Sequence, residues 1–362
     1  MANKICELCL SPDLGGLELY MMRSSRYLGE HGECISVINE NGKLKEQYEK
    51  NGLPFIPLKR RNTLFSWFSA RTLAGIIDQE KIDVVHLHWT KDLPLAVMAK
   101  LISKRKPRVV QSRHMTMTRF KDDFYHRFLY KNLDMMLSVT QQVKTQIEKF
   151  IPEEIRPKVE VLYIGAEQPK IISEEEKQIR RERLGLGRSF TVGIVGRIEV
   201  QKGQHLVLEA LMKLTQKGID AKALIVGHAM DEVYLQRLQE EYRDIAVFTG
   251  FTNEAQTVMQ VCDTVVLATE KETFGLVLIE AMMCGVCVVA SDSGGPLEII
   301  DDEVNGVLFK TFDSDDLSVK LERLAYDIHM RMDFAKAGQL KAMEMFESQK
   351  QFKLLQQTLL KA

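Results

Sequence analysis

Long apolar runs are missing from this chain: none approaches the ~18–20 residues of a membrane-spanning helix. The opening MANKICELCLSPDLGG lacks the basic segment and following apolar stretch of a secretory leader, so a cytosolic location is expected. An excess of one charge is also missing. A net charge of −1 over 362 residues argues against a dedicated nucleic-acid binder. Cysteine is sparse, six in all, though two CxxC pairs occur, Cys6/Cys9 and Cys284/Cys287. Each pair lies in an apolar run, ICELCL or MMCGVCVVAS, with no histidine beside it to complete a metal set. These thiols read as small buried hydrophobes. No GxGxxG follows a strand and opens a helix, and GLGRS at 185–189 stands before a strand instead, which disfavours a nicotinamide-dependent dehydrogenase. Internal repeats and low-complexity segments are absent.

What is present is a globular composition, 45% hydrophobic and 27% charged, long enough for two domains. Short β-branched runs alternate with helical patterns. KICELCLS, CISVIN, DVVHLHW, RVVQSR, MMLSVT and VEVLYI fill the first half. After the charged stretch EEEKQIRRERLGLGRS come FTVGIVG, AKALIVG, IAVFTG, DTVVLAT and VCVVAS. Nearly unbroken apolar strands separated by helices suit parallel sheets covered on both faces. The expected fold class is α/β, with two Rossmann-like doubly wound domains. The expected division is 1–168, 169–345 and a terminal helix, 346–362, packing back towards the N-terminal domain.

In open α/β sheets ligands bind beyond the carboxyl ends of the strands. SPDLGGLELYM follows the first strand there, and Gly15 and Gly16 would let backbone approach an anion at a helix N-terminus, although an ordinary turn could carry the same pair. GRIEVQKGQ follows the first strand of the second domain, where Gly196 permits the turn and Arg197 and Lys202 supply two cations suited to a diphosphate. A solvated basic loop is the plainer reading. In KETFGLVLIEAMM, Glu272 and Glu280 stand eight positions apart. On one continuous helix they would be about 12 Å apart along the axis, a poor acid/base couple. Glu272 therefore reads as the end of a loop, with Phe274, Gly275 and Leu276 opening a helix whose free N–H groups face a ligand. Two solvated helix glutamates are the alternative. SDSGGPLEIIDDEVNGVLF repeats a strand, glycine turn and proline, and reads as mainly structural.

Taken together, these motifs resemble glycosyltransferase family 4, retaining enzymes of GT-B architecture, over nearly the whole chain. The resemblance rests on Gly15, Gly16 and Glu18, on Gly196, Arg197, Lys202 and Gly203, on Glu272 and Glu280, and on the SGGPLE and NGVLF segments. It implies two domains facing across a cleft, with a nucleotide-diphosphate sugar as donor and a saccharide or lipid-linked acceptor. By resemblance, Arg197 and Lys202 neutralise the diphosphate leaving group, and backbone at Phe274, Gly275 and Leu276 binds phosphate and sugar oxygens. Glu272 holds donor-sugar hydroxyls, Glu280 the ribose, and Gly15 and Gly16 approach the diphosphate from the other domain. His114 matches an active-site histidine, with His86 and His88 in DVVHLHW as competitors for that role. No cofactor or metal is implied, and no Asp-x-Asp pair stands at a suitable strand end: Asp122-Asp123 and Asp301-Asp302 lie in helix or turn contexts. The implied setting is cell-envelope glycan synthesis.

Arg113 and Arg119 could bind an anionic acceptor, or be ordinary surface arginines. LKRRNTLFSWFSART (58–72) sets Lys59, Arg60 and Arg61 beside Leu64, Phe65, Trp67 and Phe68, and SKRKPR follows at 103–108. Basic residues beside aromatics suit peripheral docking on an anionic membrane, or a helix whose aromatics pack on the core. Two rival functions remain, a sugar-nucleotide epimerase of the same fold and a non-catalytic nucleotide-sugar-binding subunit.

Overall fold

The computed structural model describes residues 4–59 and 67–361. The chain divides into two compact units, Met1–Ile164 with Gln349–Ala362, and Gly165–Ser348.

Among its described residues the first unit holds seven strands: β1 Ile5–Cys9, β2 Cys34–Asn39, β3 Ile56–Leu58, β4 Val84–Leu87, β5 Arg108–Arg113, β6 Met135–Ser138 and β7 Lys158–Val161. Their order is β3-β2-β1-β4-β5-β6-β7, all parallel. Alternation along each strand sends side chains to opposite faces. Cys6, Leu8, Val85, Leu87 and Val109 pack with Ala70, Leu73 and Ile77 of the helix Trp67–Gln79. On the other face Ile5, Val84 and Val110 meet Tyr20 and Leu28 of the helix Gly16–His31, and Phe352, Leu355 and Leu359 of the helix Ser348–Lys361. Each fully buried aliphatic side chain contributes roughly 1.5–3 kcal/mol.

The second unit holds β8 Phe190–Val195, β9 Ala221–Val226, β10 Ala246–Gly250, β11 Thr264–Leu267, β12 Cys287–Ser291 and β13 Val307–Phe309. Their order is β10-β9-β8-β11-β12-β13, again parallel. In each sheet the order reverses beside its first strand, between β1 and β4 and between β8 and β11. Loops part at such a point and leave room for a ligand.

Cys6 and Cys9 enter different apolar clusters, as residues three apart on a strand must. All six cysteines are free, and burial pushes the Cys284 thiol up to about 12. Two strands escape the sequence pattern, β3 and β13, each three residues long at a sheet edge. The charged stretch before the second sheet is a helix, Glu174–Arg183. Ser173 caps it, three glutamates occupy its first turn and three arginines its last, so charge follows the helix dipole. Arg181 anchors it to the second unit by donating to the carbonyls of Val261 (2.6 Å) and Ser189 (2.6 Å).

Candidate active site

Glycine geometry builds the carboxyl end of the second sheet. β8 runs out at Gly196, whose φ is 149°, and the following turn carries Arg197. A short 3-10 turn, Val200–Lys202, then ends at Gly203, with φ 69°, which opens the helix Gln204–Gln216. A methyl on Gly203 would stand 2.4 Å from the carbonyl oxygen of Ala268, just beyond β11. Only glycine lets these two strand ends approach so closely. Gly227, with φ 149°, backs on Gly196 in the same way, its would-be Cβ 1.8 Å from the Gly196 carbonyl.

The close approach sets two distant side chains together. Lys202 Nζ lies 3.1 Å from Glu272 Oε2, both side chains about a quarter exposed (26% and 21%). Arg197 stays out in solvent and donates to Glu199 Oε1 at 2.9 Å, a partner the sequence reading missed. Gln204 Nε2 donates to the Arg197 carbonyl at 2.8 Å and steadies the turn.

Glu272 lies in the loop after β11, as its neighbours predicted. Gly275, with φ 102°, caps the helix Leu276–Met283, and Glu280 sits within that helix. Phe274 turns its ring inward, 6.0 Å from that of Phe346, and the residue is 4% exposed, so only its backbone is offered to a ligand, as expected of this helix start. The SGGP segment is the loop's support. Gly295 N–H donates to the Glu272 carbonyl at 2.9 Å, and methyls on Gly294 and Gly295 would fall 2.3 Å and 2.2 Å from the carbonyls of Glu272 and Phe274. Ser293 and Ser291 donate to the carbonyls of Glu270 and Thr269.

In the first unit Gly15 is the N-cap and Gly16 the first residue of the helix Gly16–His31. The Gly15 N–H is taken by Glu18 Oε2 at 2.9 Å, so the motif's glutamate closes a capping box. A Cβ on Gly16 would meet nothing within 4 Å. His114 follows β5, half-buried, with His88 Nδ1 3.3 Å from its Nε2. His86 and His88 are buried and both engage Glu7, at the centre of β1. Sequence reasoning missed Glu7. A lone acid inside ICELCL, where its charge needs a partner, was the available signal.

Arg113 is no free anion receptor. Its guanidinium donates to the carbonyls of Met115 (2.8 Å) and Thr116 (2.8 Å) and to Thr90 Oγ1 (2.9 Å), pinning the loop that follows His114. Trp67 and Phe68 are 53% and 70% exposed, so they do not pack on the core; Arg60, Arg61, Leu64 and Phe65 lie outside the described residues. Among the described residues no helix is long and apolar enough to cross a membrane.

Comparison with known proteins follows this division. The family profile "Glycosyl transferase 4-like" matches residues 7–146, and "Glycosyl transferases group 1" matches residues 175–341. The chain is 29% identical over 342 residues to an uncharacterized glycosyltransferase of Methanocaldococcus jannaschii, covering 87% of this chain and 86% of that one. It is 23% identical to the capsular polysaccharide biosynthesis glycosyltransferase CapM of Staphylococcus aureus, covering 89% and 88%. Among solved structures, Anabaena HepE in complex with UDP superposes with a TM-score of 0.87 at 22% identity, covering 99% and 100%. Two parallel α/β units, a matching profile on each and relatives matched over most of their length agree: the chain belongs to the family 4 type of glycosyltransferases, of GT-B fold.

Proposed function

We propose that this glycosyltransferase moves a sugar from a nucleoside-diphosphate sugar to a saccharide or lipid-linked acceptor of the cell envelope, with retention and without a metal. The observation that carries the reading is the Lys202–Glu272 pair at the β8/β11 switch point. A diphosphate entering there would take Lys202 as its counterion, with Arg197 swinging from Glu199 to join it. Glu272, released from the lysine, would then accept from donor-sugar hydroxyls, while Glu280, further along the helix, accepts from the ribose. Cationic side chains would supply the charge that a metal otherwise provides. The leaving phosphate is then free to take the acceptor's proton on the face it departs from, which is the front-face route to retention. HepE bound to UDP and the capsular role in CapM's name support the donor class and the envelope setting.

Exposed Trp67 and Phe68, with Lys59 and Arg71 nearby in sequence and also exposed, support contact with an anionic membrane. Sedimentation with anionic and neutral vesicles tests this, and equal partitioning would reject it. The donor reading is tested by thermal stabilisation with UDP, GDP, ADP and their sugar conjugates in EDTA, then by NMR of the product's anomeric proton. One nucleotide series should stabilise the protein and the product should keep the donor's configuration. No stabilisation by any nucleotide, loss of turnover in EDTA, or an inverted product would overturn the corresponding part.

A further inference from the structure

The first unit contains a largely buried chain of polar side chains apart from the Lys202–Glu272 pair. Parallel pairing of β1 and β4 sets Glu7 opposite His86, and the two-residue period carries His88 to the same face. Glu7 Oε1 meets His86 Nδ1 at 2.9 Å, and Oε2 meets His88 Nε2 in a shorter contact. His86 Nε2 meets Ser112 Oγ at 2.8 Å, and His88 Nδ1 meets His114 Nε2 at 3.3 Å. The run is thus Ser112, His86, Glu7, His88, His114, and Tyr20 packs edge-on against both of the last two rings.

Glu7, His86 and His88 also offer three ligand atoms within 4.8 Å of one another. A metal bridging carboxylate and imidazole sits about 2 Å from each and holds them apart. Here both imidazoles touch the carboxylate at hydrogen-bond length, and their outer nitrogens already face Ser112 and His114. The geometry is that of a hydrogen-bond relay.

Its polarity follows from the carboxylate. Burial alone would raise the Glu7 carboxyl, but His86 and His88 outweigh it and hold it at about 2, so it only accepts. His88 therefore donates through Nε2–H. Burial, with His86 beside it, pushes the His88 imidazole down against the pull of Glu7 and the more distant Glu18, so the ring is neutral and Nδ1 is an acceptor. His114 must then donate its Nε2–H. Burial, His88, His86 and Arg113 push its imidazole well below the ordinary range against Glu7, which leaves Nδ1 with a lone pair.

We infer that Glu7 and His88 are positioning residues that lock His114 in its Nε2–H tautomer and present Nδ1 as an acceptor for a substrate hydroxyl. The inference rests on the glycosyltransferase reading for the hydroxyl, but not for the tautomer. His114 in this state orients a hydroxyl and supplies no proton. The arrangement follows the general rule that what one ring nitrogen bonds decides the role of the other.

The test is the ring ¹⁵N spectrum of the ¹⁵N-histidine-labelled full chain at neutral pH without substrate, with His114 assigned by His114→Gln. His114 should be neutral and protonated on Nε2. His88→Phe should release it to a mixed tautomer, whereas His88→Gln, whose amide can donate to Glu7 and accept from His114, should retain it. Glu7→Gln should lower kcat on the order of 10²-fold with nucleotide stabilisation unchanged. A wild-type His114 protonated on Nδ1 or on both nitrogens overturns the relay, as does a His88→Phe chain with the tautomer intact. Because the spectrum is read without substrate, it stands apart from the nucleotide titration that tests the glycosyltransferase reading.

Discussion

Gly294 presses so closely on Glu272 that any side chain there would collide with the glutamate's own carbonyl, 2.3 Å from a would-be Cβ. Its φ of 73° adds backbone strain for any other residue. Gly294→Ala should therefore cost about 1–3 kcal/mol of stability and displace the Glu272 loop, with loss of turnover. Gly75, inside a helix with nothing within 4 Å of its would-be Cβ, is the control. Gly75→Ala should stabilise by about 0.5–1 kcal/mol. Thermal melts of both variants decide, and equal melting temperatures would reject the collision.

Lys202 and Glu272 are paired but should fail differently. Lys202→Met removes leaving-group charge and should lower kcat by roughly 10²–10³ and weaken nucleotide binding. Glu272→Ala should abolish transfer while sparing nucleotide stabilisation, because its proposed contact is with the sugar. Kinetics beside thermal shifts separate the two. Unchanged turnover in Glu272→Ala would remove the role given to it.

Arg113→Lys tests whether that cation reads an acceptor or holds a loop. Lysine keeps the charge but cannot reproduce three bonds to Met115, Thr116 and Thr90. The expected result is a loss of about 2–3 kcal/mol and reduced turnover with neutral and anionic acceptors alike. Wild-type behaviour would return Arg113 to the list of acceptor-binding residues.

Acid should weaken the first unit early. Folded His88 and His114 bind protons less readily than the unfolded chain, so stability is lost as pH falls below about 6.5. The slope is about 1.4 kcal/mol per pH unit for each such proton. Glu7 has the opposite charge but the same consequence: its carboxyl is depressed, so its contribution is present above about 4.3 and disappears towards about 2. Urea midpoints measured across this range should fall, and His88→Phe should flatten the upper part of the curve. A midpoint insensitive to pH between neutrality and about 5 would contradict neutral imidazoles.

Both sheets and the strand-end glycines were legible because they depend on near neighbours: β-branched runs make strands, and Gly196 or Gly275 marks a turn. Pairings across the sheet were not. Lys202 meets Glu272 only because β8 and β11 are adjacent, and Glu7 meets His86 only through the register of β1 on β4. Nothing local in ICELCL or DVVHLHW states that register. Strands of three residues, β3 and β13, are too short to display a period. SGGP looked structural, and so it is, but what it supports is the Glu272 loop.

The helix Ser348–Lys361 covers a face of the first sheet, with Phe352, Leu355 and Leu359 set against residues from β1, β4 and β5. On the ribosome those residues emerge only after the whole second unit has been made. The first unit thus waits with part of an apolar face uncovered until then, exposed to chaperones and to its own neighbours. Cutting the chain after residue 347 would leave the helix Gly16–His31 to cover that face alone and strip the part under Phe352, Leu355 and Leu359.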